Sequence, residues 1–187
     1  MSKIYNYSAF YVAEPFNPSS LGAHATKDFC YYNMLKAWKG LDSNFPFNNA
    51  HDTTYNVRDS SDWENTLKPR LRQRLSNSSN IVLFLSDYTK SSKALIEEID
   101  YGINTLKLPV IVVYPDFKTT DELLNDTKNG INNNIKSLWN KLPIFKNSKS
   151  KVPILHIPLN KERIKMALEN ASFRAGSGKN SGDYYYN

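Results

Sequence analysis

The chain has 187 residues, of which 40% are hydrophobic and 22% charged, the balance of a globular protein and not of a disordered one. That length supports one α/β domain of ordinary size. A net charge of +6 invites a nucleic-acid partner, yet the basic residues are scattered and no nucleic-acid motif accompanies them. Their densest cluster, Lys68–Arg74, lies on a helical pattern whose Leu67, Leu71 and Leu75 face inward, and it reads as a solvated helix face. The single cysteine, Cys30, excludes a disulfide framework or a cysteine-based zinc site and agrees with a reducing compartment. No apolar run reaches the length of a membrane span, and MSKIYNYSAF lacks the features of a signal peptide. The expectation is a cytoplasmic protein with neither membrane nor nucleic acid as partner.

Strand and helix patterns alternate along the chain. Ile4–Ala13 contains the first strand, ending in Ala9, Phe10 and Tyr11. Asp28–Leu41 is helical, with Tyr31, Met34, Leu35, Trp38 and Leu41 on one face. Phe45–Ala50 reads as a second strand, followed by the polar loop 51–62. Trp63–Leu75 is the next helix, with Asp62 or Ser61 as its N-cap. Two continuous apolar runs, Ile81–Leu85 and Pro109–Tyr114, then flank a helical pattern, which is the signature of a βαβ unit in a parallel sheet. Residues 119–142 hold one or two short helices, around Leu123 and Ile135–Trp139, before a fifth strand, Val152–Ile157, and a last helix, Asn160–Ala171. The end, 173–187, is expected to form a flexible tail behind a single domain, 1–172. Five strand–helix pairs imply an open, mostly parallel, five-stranded sheet with helices on both faces.

In sheets of this kind ligands bind beyond the carboxyl ends of the strands, where the loop 86–92 and the start of the following helix lie. On that helix Leu95, Ile99, Gly102, Ile103 and Leu106 form the core-facing stripe. At about 100° per residue, Glu97 points almost directly away from the stripe, and Glu98 lies on its edge, roughly 90° from its centre. A carboxylate at the margin of an apolar face is partly desolvated and still within reach of a cleft, which suits nucleophilic or electrostatic work. Complementing the helix dipole is the plainer role for the same residue. His51 and Asp52 are adjacent, so in extended chain they point to opposite sides and read as surface-loop residues. No pair of His, Cys or carboxylates has metal-ligand spacing. No glycine-rich loop follows the first strand, which excludes a dinucleotide fingerprint and a P-loop.

The stretch NVRDSSDWENTLKPRLRQRLSNSSNIVLFLSDYTKSSKALIEEIDYGI resembles the core of a TIR domain. Trp63, Ser79, Ile81–Ser86, Tyr88 and Glu98 occupy the places of that family's loop tryptophan, serine, third strand, loop tyrosine and glutamate. FNNAHDTTYNVRDSS and LPVIVVY are similar to the bacterial TIR-like (ThsB-type) branch found in Thoeris antiphage systems. The resemblance spans residues 4–115, and 116–172 continues the fold. Ala94 departs from the pattern, standing where the tryptophan of Trp-x-x-x-Glu would be.

The resemblance implies an enzyme that consumes NAD⁺ as a substrate, with no resident cofactor or metal. It would cut the bond between nicotinamide and ribose at Glu98. Around that acid, Ala9, Phe10 and Tyr11 either line the cleft or belong to the core. Asp59 and Ser60 either cover the substrate or cap a helix. Asp87 either holds a ribose hydroxyl or caps a turn. The product would be ADP-ribose, a cyclic isomer or an ADP-ribose conjugate, made after a phage-derived trigger and switching on a separate effector protein. Self-association is expected to complete the sites. Two other functions fit the same residues: a TIR interaction module without chemistry, and an enzyme like nucleoside deoxyribosyltransferases.

Overall fold

A computed structural model describes residues 7–11, 25–48, 62–89 and 91–186, with only the backbone for 7–11, 25–30, 32 and 33. Among the described residues five strands form one sheet: β1 Tyr7–Tyr11, β2 Ser78–Phe84, β3 Val110–Tyr114, β4 Pro153–Pro158 and β5 Gly182–Tyr185. They lie in the order β1-β2-β3-β4-β5, and every neighbouring pair is parallel. Every residue of β2, β3 and β4 is buried, which is why Ile81–Phe84 and Val110–Tyr114 read as unbroken apolar runs and not as alternating ones.

Alternate residues of the strands feed two cores. On one face Ile81, Leu83, Val110, Val112 and Ile154 pack under α3 (Lys93–Asp100), α4 (Asn133–Leu138) and α5 (Pro143–Ser148). On the other, Val82, Phe84, Ile111, Val113 and Leu155 pack under α1 (Ala25–Leu41) and α6 (Lys161–Glu169). The expected open parallel sheet with helices on both faces is therefore present. Asp62 is the cap foreseen for the second helix: its carboxylate accepts from the backbone N–H of Glu64 and Asn65. That helix begins as a π-turn, Trp63–Leu67, and continues as α2, Lys68–Ser76. No helix among the described residues is long and apolar enough to cross a membrane.

Four of the five expected strands form, and the membership of the sheet needs two corrections. The segment expected at Phe45–Ala50 is bend and coil over residues 45–48, and 49 and 50 lie outside the described residues. Phe45 and Phe47 are buried in the second core, but they reach it from a turn closed by Phe45 N–H to Asp42 O at 2.9 Å. Pro46 between them has no N–H for a ladder, so apolar alternation there reports packing and not pairing.

The second correction is at the other end, where the expected flexible tail contains β5. Residues Pro153 to His156 pair with Gly182 to Tyr185. The crossovers from β2 to β3 and from β3 to β4 run over the first face, whereas α6 carries the chain from β4 to β5 over the second. Because the sheet keeps stepping in one direction, this last crossover has the opposite hand to the other two. A short strand added against the handedness rule needs anchors, and they are polar. The buried His156 places Nε2 at 2.9 Å from Asp183 Oδ1 and Nδ1 at 2.8 Å from the Tyr114 hydroxyl. Lys149 Nζ bonds both Asp183 oxygens at 2.7 and 2.6 Å, and Trp139 Nε1–H donates to the Tyr114 oxygen at 3.0 Å. A carboxylate accepts only, so His156 carries its proton on Nε2 and the Tyr114 O–H donates to Nδ1.

Candidate active site

The helix α3 is set by Ser92, whose hydroxyl accepts from Leu95 N–H at 3.1 Å and satisfies one donor of the first turn. This fixes the stripe of Leu95, Ile99 and Ile103 on β2 and β3, and with it the edge on which Glu98 lies. The edge is not open to solvent. Glu98 is only 5% exposed, in the flank that α3 turns toward α2. Its Oε1 accepts a hydrogen bond from Arg74 Nη2, and Arg74 is itself 4% exposed. Burial pushes the Glu98 carboxyl up to about 8, and the charge and hydrogen bond of Arg74 pull the other way without cancelling it.

Glu97, expected to point almost directly away from the apolar stripe, also turns to α2. Its side chain is 18% exposed, bonds Arg72 Nε and Nη2 at 2.8 and 2.6 Å, and lies 3.7 Å from Lys68 Nζ. A periodicity estimate assigns every residue opposite the apolar stripe to water and takes no account of a neighbouring helix. Two successive glutamates therefore join α3 to α2, Glu97 near the surface and Glu98 in the interior.

Arg74 was missed in the sequence because KPRLRQR reads as one basic surface. Arg70 and Arg72 are indeed exposed. Arg74, however, is three residues after Leu71 and seven after Leu67, on the inward stripe of α2, and that spacing was the available signal. Its carbonyl accepts from Asn77 N–H at 3.1 Å and Ser78 Oγ at 2.9 Å, which fixes the residue where α2 gives way to β2.

The remaining candidates are not gathered around this pair. The loop after β2 closes on itself: Ser86 N–H donates to Thr89 Oγ1 at 3.0 Å, and Thr89 N–H to Ser86 O at 3.1 Å. Asp87 sits on that turn with its side chain 74% exposed, 3.8 Å from Lys141 Nζ, and makes no bond to Glu98. Ala9, Phe10 and Tyr11 align with Ile81, Val82 and Leu83 in β1, and their side chains lie outside the described residues. Asp59, Ser60, His51 and Asp52 lie wholly outside them. Ala94 is half-buried on the first turn of α3, beside Lys93, whose Nζ stands 4.8 Å above the Trp63 ring. Among the described residues no group of three or more His, Cys, Asp or Glu is placed to hold a metal ion.

A doubly wound parallel sheet with a buried glutamate on the helix after β2 has the layout of TIR-like α/β domains. The comparison with known families narrows the class. Residues 7–120 match the family described as Thoeris protein ThsB, TIR-like domain; this is more than half of the chain, and the chain belongs to that family. It is thereby a TIR-like protein of antiphage defence. The match takes in β1, β2, α3 and β3, hence Glu98 and Arg74, and ends before α4.

Proposed function

We propose that the chain cleaves the nicotinamide–ribose bond of NAD⁺ with Glu98 as its catalytic carboxylate. The observation that carries this reading is the Glu98–Arg74 pair: an acid buried on the helix that follows an inner strand, with a counter-charge built beside it. Nicotinamide departs as a neutral molecule with the bonding electrons, and the ribose C1′ is left as an oxocarbenium ion. An ionised Glu98 faces that cation, stabilising it electrostatically or bonding to it transiently, and returns to its starting state when the acceptor attacks. Water as acceptor gives ADP-ribose and a proton. A hydroxyl or adenine nitrogen of the same molecule gives a cyclic isomer, and a separate small molecule gives a conjugate. The product is diffusible and activates a partner effector after infection, and self-association of the chain completes the sites. The protein works in the cytoplasm.

The near-complete burial of Glu98 favours one rival, an interaction module in which the acid is only structural. Mass spectrometry of products separates the readings. Purified wild type and Glu98→Gln are incubated with NAD⁺ or with deoxynucleosides, each with and without extract of phage-infected cells. The expected result is free nicotinamide plus one second product from wild type alone, whose mass identifies the acceptor. NAD⁺ left intact in every condition overturns the reading in favour of the module, and cleavage of deoxynucleosides overturns it in favour of a deoxyribosyltransferase-like enzyme.

A further inference from the structure

Arg74 is the component of the site to which the chemistry above assigns no step of its own. A guanidinium as deeply buried as this one is costly unless acceptors face it, and Glu98 Oε1 is one of them. Glu98 Oε2 receives no hydrogen bond among the described residues. The two side chains come from different helices, each anchored close to the residue concerned: α3 by its Ser92 cap and α2 by the bonds to the Arg74 carbonyl. Other charged groups of the two helices have partners among the described residues. Glu97 on α3 is held by Arg72 and Lys68 of α2, and Asp100, on the exposed flank of α3, is bonded by Asn104.

We propose that Arg74 is the positioning residue of this site: it tethers one oxygen of Glu98, supplies the charge that lets a buried carboxylate exist, and leaves the other oxygen for the ribose cation. This rests on the reading of Glu98 as the catalytic acid. Only an ionised Glu98 can stabilise an oxocarbenium ion, and burial works against its ionisation, so the rate at neutral pH depends on the counter-charge. Lysine in place of Arg74 returns the charge but not the planar fork that fixes the direction of the carboxyl group.

The test is the pH profile of NAD⁺ cleavage by the full-length chain with infected-cell extract present, from about pH 5 to about pH 10, for wild type, Arg74→Lys and Arg74→Gln. In Arg74→Gln the acidic limb is expected to move up by about one pH unit or more, with about tenfold less activity at pH 7 and with kcat affected more than KM. Arg74→Lys should lie between the two. An acidic limb unchanged in Arg74→Gln, with activity merely lower or equal, overturns the proposal. A second readout needs no turnover: denaturant stability against pH for wild type, Arg74→Gln, Glu98→Gln and the double variant. Coupling between the two sites that grows as pH rises through about 8 is expected, and additive effects at every pH overturn the pairing. If wild type and Glu98→Gln are equally active or equally silent, the reading of Glu98 fails, and this cycle still decides whether Arg74 governs its ionisation.

Discussion

Glu98 makes the stability of the whole chain depend on pH. Its carboxyl in the folded chain stands at about 8, above the ordinary 4.5, so between those values the folded chain keeps a proton that the unfolded chain has released. The sign follows: the contribution of Glu98 is whole below pH 4.5 and is lost as pH rises through about 8. For a buried group the loss is on the order of a few kcal/mol. Denaturant midpoints at about pH 5 and about pH 8.5 should therefore fall for wild type, and Glu98→Gln should flatten that fall. A wild-type midpoint that rises across the interval would contradict the burial of the acid. At this scale the sequence was half legible. The 100° periodicity placed Glu98 at the margin of the apolar stripe, where the structure has it. Arg74 stayed hidden because charge suggested surface, although its spacing from Leu67 and Leu71 put it on the buried face.

Among the elements, the helix that carries Glu98 is held to the sheet by a missing side chain. After α3 the chain continues as a π-turn, Tyr101–Thr105, and a Cβ built on Gly102 would stand 2.6 Å from Ile81 Cδ1 and 3.4 Å from Leu75 Cδ2. Ile81 is fully buried and cannot give way cheaply. Gly102→Ala should destabilise the fold by about 1–3 kcal/mol in denaturant unfolding. Ile81→Val removes the Cδ1 atom. It costs about 0.5–1.5 kcal/mol alone, yet in the Gly102→Ala background it should recover part of the loss. If the two losses simply add, the clash is not at Cδ1. The inner strands were legible as continuous apolar runs because both of their faces are covered. Phe45–Ala50 misled because Phe45 and Phe47 fill the core from a turn, and period-two apolarity does not distinguish the two origins.

At the scale of the whole molecule, the sheet edge beyond β4 depends on a polar chain that runs from the buried Trp139, Tyr114 and His156 out to Asp183 and Lys149 nearer the surface. Burial holds His156 below its ordinary 6.5, and the bonds from His156 and Lys149 hold Asp183 down at about 2. A depressed group stabilises the fold above its unfolded value and stops doing so as pH falls through its folded one. The edge should therefore loosen in acid, first as pH drops below 6.5 and again from 3.8 toward about 2. Amide exchange at Tyr184 and Tyr185 should accelerate ahead of β3 under those conditions, and Asp183→Ala should produce the same loosening at pH 7. Protection in β5 that matches β3 in the variant would show that the polar chain is not the anchor. None of this was legible in GSGKNSGDYYYN, where glycine and serine signal a loop and the partners of Asp183 lie 27 and 34 residues away in sequence.

Whether Glu98 is the carboxylate that cleaves NAD⁺ is decided by the initial rate of nicotinamide release. Purified wild type and Glu98→Gln would be compared at equal concentration in extract of phage-infected cells, with folding of the variant verified by its unfolding midpoint. The expected result is release by wild type and a loss of about 100-fold or more in Glu98→Gln. Release at the same rate in both would contradict it.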